Sequence, residues 1–127
     1  MRNQRGVAAI EFALVLPVML TLAFAIMDWS LFMVEQLNVG VVANRSMRLA
    51  AGDEDPAGRA IEAICADLPA YSLACADADI DAIVTDRGSG QVLELTIAIP
   101  FDPPVGLIPT PEKLTASVTT SWYGEEG

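Results

Sequence analysis

Between Phe12 and Met27 the chain runs sixteen residues without a charge, and the apolar character resumes after Asp28 through Trp29, Leu31, Phe32, Met33 and Val34. No other feature constrains the fold as much. Counted from Val7, the stretch to Met27 has twenty-one residues, which as a helix rising about 1.5 Å per residue spans roughly 30 Å, the thickness of a bilayer's hydrocarbon core. One membrane-spanning helix follows, and Glu11, the single charge inside it, needs a reason to be there. A carboxylate facing lipid costs on the order of 2.5 to 3.5 kcal/mol at the centre of a span and less near its ends. A partner is available one helical turn upstream. If the chain is cut after Gly6, Val7 carries a free α-amino group that is largely cationic at neutral pH.

Gly6, then four residues, then Glu11 and the aromatic Phe12 resembles the processing site of type IV prepilins. The wider run from Arg5 through Pro17, continuing to Met27-Asp28-Trp29, resembles more narrowly the TadE-like pilins of the Tad (Flp) pilus system, over about the first fifty residues. The resemblance implies that a prepilin peptidase cuts the Gly6–Val7 bond and that Glu11 and Phe12 serve processing and assembly. Residues four apart share a helix face, so Glu11 reaches the Val7 amine of its own chain as well as that of a neighbour. Both pairings stay open. Two competing readings of the same stretch also stand. Arg2 and Arg5, an apolar core and Ala23-Phe24-Ala25 fit a secretory signal cut after Ala25, against which Glu11 and the continuing apolar run both speak. An uncleaved anchor, with Glu11 favoured in the first turn by the helix dipole, is the other.

With 127 residues, 53% of them hydrophobic, there is room for one membrane helix and one small domain of about 75 residues. The expected division is a leader at 1–6, a transmembrane helix at 7–34, a helical extension at 35–52 and an exoplasmic head at 53–127. The formal charge is -10, from 7 basic and 17 acidic residues, and phosphate binding needs clustered Lys or Arg, so nucleic acid is not an expected partner. Arg2 and Arg5 precede the apolar segment and the acidic remainder follows it. The positive-inside rule therefore leaves the N-terminus in the cytoplasm and sends the head across, which in a bacterium means an inner-membrane protein with a periplasmic head or an extracellular pilus.

Pro17 removes one backbone donor and is expected to kink the helix. Beyond Asp28 the pattern stays helical to about Ala51, with Leu31, Val34, Leu37, Val41, Val42, Met47 and Leu49 expected on the side that packs against the head, and Gly52 as the stop. Trp29 suits either a membrane interface or a packed contact between subunits. Asp55-Pro56 opens a second helix, Pro56 to Leu68, with Asp55 as N-cap. Cys65 and Cys75 in an exported domain favour a disulfide worth about 2 to 3 kcal/mol on the chain-entropy model, with two buried thiols as the alternative. Zinc is disfavoured, since there is no His and there are only two Cys. The alternating aspartates Asp77, Asp79 and Asp81 open like a calcium loop, but Ala82 stands where that loop needs Gly and Gly88 where it needs Glu.

From Asp81 the periodicity turns to two. Asp81 to Asp86 reads as a strand, Arg87-Gly88-Ser89-Gly90 as a turn, and Gln91 to Ile99 as a second strand with Leu93, Leu95, Ile97 and Ile99 on one face. Pro100 to Pro111 is a Pro-rich loop expected to lie over the sheet. Leu114 to Trp122 is a third strand with Thr115, Ser117, Thr119 and Ser121 on a hydroxyl-rich outer face. The expected fold class is α+β: a long N-terminal transmembrane helix extending into a small head with a short helix and a three-stranded antiparallel sheet. Without His, and without a nucleophile elbow, Walker loop or dinucleotide fingerprint, neither enzyme activity nor a cofactor is expected.

The resemblance implies a minor pilin-like subunit, since Flp major pilins are much shorter and nearly all helix. Its implied partners are the prepilin peptidase, other pilin subunits, Tad inner-membrane assembly proteins and inner-membrane lipid. The alternative from a different class is an uncleaved bitopic adaptor whose hydroxyl-rich strand and Pro-rich loop present a binding surface.

Overall fold

The computed structural model describes residues 4–88 and 90–123, so the start of the leader, Ser89 of the expected turn and the last four residues lie outside the description. One helix, α1 (Gln4–Ala50), runs unbroken through the leader glycine, the apolar run and the extension. At about 1.5 Å per residue its 47 residues measure about 70 Å. It stops where expected: Gly52 takes a positive φ of 84°, and the Asp53 N–H donates to the Ala50 carbonyl at 3.1 Å. The Asp55 carboxylate accepts from the Gly58 N–H at 3.2 Å and so caps α2 (Pro56–Asp67), with Pro56 in its first turn. The chain then continues past Pro69 in a single 3-10 turn, Leu68–Tyr71, and leaves it at Ser72 with a left-handed φ of 60°.

Three antiparallel strands follow, β1 (Asp79–Arg87), β2 (Gly90–Pro100) and β3 (Lys113–Tyr123), in the spatial order β1-β2-β3. Each is a residue or two longer than its sequence pattern predicts at either end, because strand pairing carries the ladder out to Asp79↔Ala98 and Pro100↔Lys113. The period-two reading holds on the inner face. Leu93, Leu95 and Ile97 are fully buried and Ile99 nearly so, paired across the sheet with Thr120, Val118, Ala116 and Leu114. Thr115, Ser117, Thr119 and Ser121 face solvent, as do Asp79 and Asp81 on β1. The acidic run therefore starts a strand.

The second half of α1 and all of α2 cover the inner face, α1 over β3 and β2, α2 over β1, which makes a two-layer α+β head with one open sheet face. The helix face doing this differs from the expected one. Val42 and Met47 are buried, but Leu31, Val34, Leu37, Val41 and Leu49 are exposed, and the packed side is Asp28, Phe32, Val39, Ala43, Ser46 and Ala50. Small residues decide it: Ala43, Ser46 and Ala50 let the helix backbone approach the sheet and α2 closely, where leucines would hold it off. Ser46 is satisfied within the helix by donating to the Ala43 carbonyl at 2.8 Å.

Cys65 and Cys75 are disulfide-bonded, with their Cα atoms 5.0 Å apart. The bridge ties the end of α2 to the 3-10 turn Cys75–Asp77 that leads into β1. Reducing it, or replacing both cysteines by serine, is expected to cost the head about 2 to 3 kcal/mol. Unfolding of the full chain in detergent micelles, with and without reductant, reads this as a lowered midpoint; an unchanged midpoint contradicts it.

Candidate functional site

The expected processing site lies on a bare helix. Gly6 is the third residue of α1, so the Gly6–Val7 bond sits in a first turn whose N–H groups have no acceptor within the helix. A Cβ placed on Gly6 would meet nothing within 4 Å. Val7, Glu11 and Phe12 are all exposed, and among the described residues Glu11 joins no ion pair. Pro17 lies inside α1 without ending it; its own carbonyl accepts from the Thr21 hydroxyl at 2.8 Å, while the Ala13 carbonyl has lost the donor a proline cannot supply. Among the described residues, none of the head buries this part of the chain. From Gln4 to Phe24 every described residue is exposed, and the helix is long and apolar enough to cross a membrane.

The head meets the helix first at Asp28, and this junction is what sequence reasoning did not find. Asp28 is fully buried. Its two carboxylate oxygens accept one hydrogen bond each from consecutive backbone N–H groups of the Pro-rich loop, Val105 at 3.1 Å and Gly106 at 3.0 Å. Successive N–H groups converging on one anion form a nest, and Gly106 supplies the positive φ of 68° that such a turn requires. Charge-assisted bonds of this kind contribute about 1.5 to 3 kcal/mol each. The loop is closed at its base as well: the Phe101 N–H donates to the Glu112 carbonyl at 2.9 Å, so residues 101–112 form an Ω-like loop pinned at neck and tip. Phe101 is buried edge-on against Phe32, 5.2 Å between ring centres, and Phe32 stands edge-on to Trp29 at 6.0 Å.

A second clasp lies two turns further along the helix. Gln36 presents its side-chain amide to Thr115 as a neighbouring strand would, accepting from the Thr115 N–H at 3.0 Å and donating to the Thr115 carbonyl. Because β3 is an edge strand, this blocks part of a row of backbone groups that would otherwise be open to another strand. Arg45 adds an exposed ion pair to Asp67 of α2 at 3.5 Å, which contributes little. Both clasps were hidden for the same reason: their partners are backbone groups 77 to 79 residues away, which carry no side-chain signature.

Two substitutions test the first clasp in full-length protein in micelles. Asp28→Asn turns one of the two acceptors into a donor facing an N–H and is expected to lower head stability by about 1 to 3 kcal/mol and open loop 101–112 to protease. Gly106→Ala has room for its Cβ, 3.9 Å from the Pro103 ring, so its expected loss of about 1 to 2 kcal/mol comes from the left-handed backbone alone. Unchanged protease resistance in Asp28→Asn contradicts the clasp.

Compared with known proteins, residues 6–48 match the family described as TadE-like protein. The match begins at the candidate leader glycine and ends within the last turn of α1, so it takes in the bare segment, Asp28 and Gln36. No curated protein matches the chain, and neither does any solved structure. Over residues 6–48, the helix that carries both its exposed apolar span and its attachment to the head, the chain is similar to TadE-like proteins.

Proposed function

We propose that this chain is a pilin-like minor subunit of a Tad/Flp pilus apparatus, cut after Gly6 by a prepilin peptidase and acting in pilus assembly as a structural, non-catalytic component. The observation that carries the proposal is the division of one helix. The family match starts at Gly6, and the residues that follow it are exposed as far as Phe24 and apolar but for Glu11 and Thr21 as far as Met27, whereas the head is gripped from Asp28 onward. A helix with a bare apolar half and a docked half suits a subunit that is stored in the inner membrane with its head in the periplasm and then packs beside other helices. Leu31, Val34, Leu37 and Val41, spaced three and four apart and turned away from the head, would extend that contact beyond the span.

In this mechanism the peptidase releases Met1 to Gly6 at the cytoplasmic face, and Val7 becomes the positively charged start of the helix. Glu11, which joins no ion pair among the described residues, then acquires a cation one turn away on its own chain or on a neighbour at the assembly site. Tad inner-membrane assembly proteins and other pilin subunits are the proposed partners. Intact mass of the protein from its native membrane is expected to begin at Val7. Glu11→Gln is expected to leave the head folded while lowering recovery in pili severalfold. A retained Met1 overturns the processing step in favour of an uncleaved adaptor, and wild-type incorporation of Glu11→Gln overturns the role given to Glu11.

A further inference from the structure

The Pro-rich loop is held at the level where the apolar span ends. Asp28 is the first charged residue after Met27, and it grips the loop tip at Val105 and Gly106. The tip therefore lies against the helix where the hydrocarbon of a bilayer around residues 7–27 would give way to headgroups. Its chemistry suits that zone. From Pro103 to Pro111 the loop has no charged side chain, in a protein with a formal charge of -10. Val105 is 36% exposed and Leu107 57%, and an open cleft of about 380 Å³ lies beside them, lined in part by Ile108 and Pro109. Trp29, next in sequence to the gripping carboxylate, is 40% exposed, and an indole favours this same boundary.

Asp102 and Glu112 stand at the neck of the loop, with Lys113, the chain's single lysine, beside them. The Asp53-Glu54 pair is set apart from it, about 35 Å further along the helix axis. Between Asp102 and Glu112 at its neck, the tip itself thus carries no acid. In solution the exposed tip would leave apolar side chains in water with nothing gained. Laid on lipid, it continues the apolar surface of Phe24 and Met27 sideways from the helix.

We infer that the loop tip Val105–Leu107, together with Trp29, is a foot that rests in the interfacial zone of the exoplasmic leaflet while the subunit resides in the membrane. Its ligand is the lipid surface itself, and Asp28 is the residue that positions it. The foot holds the head at a fixed height and tilt beside its helix. This rests on α1 crossing the membrane, and the experiment separates the two claims.

Full-length protein is placed in nanodiscs containing anionic lipid, with a nitroxide at Leu107→Cys, at Thr119→Cys on the outer sheet face, or at Leu20→Cys in the span. The native cysteines, bonded to each other, do not take the label. The ratio of collisions with oxygen to collisions with a water-soluble nickel chelate is expected to be severalfold higher at 107 than at 119, and highest at 20. In an Asp28→Asn background the ratio at 107 is expected to fall toward that at 119. If 107 is as wet as 119 while 20 is in lipid, the foot is overturned and the span stands. If 20 is wet as well, the span itself fails and the foot with it. If 107 is shielded from both reagents and shows spin–spin broadening between labels, a second copy covers the tip and lipid contact is overturned.

Discussion

A carboxylate taken wholly out of water costs several kcal/mol unless its oxygens are bonded, and Asp28 sits in the middle of a helix whose own amides are already used. Among the described residues no Arg or Lys pairs with it. Two consecutive amides of a loop more than seventy residues away supply what is missing. The head's attachment depends on this exchange: the loop amides need an acceptor once Phe101 is buried against Phe32, and Asp28 needs donors once the loop covers it. Neither group is satisfied unless helix and head close together. Gln36 repeats the same logic on the exposed edge of β3. Two polar clasps along one helix face fix both the position and the rotation of the head on α1, which apolar packing alone would specify less sharply.

The consequence is a molecule with a bare apolar half and a half docked on the head. The first half of α1 presents apolar side chains in every direction, as a segment stabilised by lipid or by neighbouring helices must. The second half is packed on one side through small residues, and its exposed side carries Leu31, Val34, Leu37 and Val41 before Asn44, Arg45 and Arg48. The exposed stripe from Leu31 to Val41 lies outside the head's own core and continues the apolar surface of the first half.

Much of this was readable from residue order. The sixteen uncharged residues predicted the helix, Gly52 its end, Asp55-Pro56 the start of α2, and the alternation of Leu93, Leu95, Ile97 and Ile99 the buried strand face. The two cysteines predicted their own bond. The helix face failed because both sides of the extension are apolar, so hydropathy cannot tell the side facing the head from the side facing away. Side-chain volume does: Ala43, Ser46 and Ala50 recur at three and four residues on the packed side. Asp28 was legible only as a charge at the end of an apolar run. Its partner is a Val-Gly dipeptide in a Pro-rich loop, and no periodicity links the two. The candidate processing residues, Gly6, Val7, Glu11 and Phe12, lie on the exposed first part of the helix.

Helix and head form one body, closed by Asp28 on the Val105 and Gly106 amides. Amide hydrogen exchange of the full chain in micelles, resolved for single residues of loop 101–112, tests it most directly. The Val105 and Gly106 amides are expected to exchange as slowly as those of the β2 ladder, although they lie in an exposed loop, while their neighbour Leu107 exchanges fast. Exchange of all three at the rate of unstructured peptide would contradict it and leave the head tethered to its helix without the clasp.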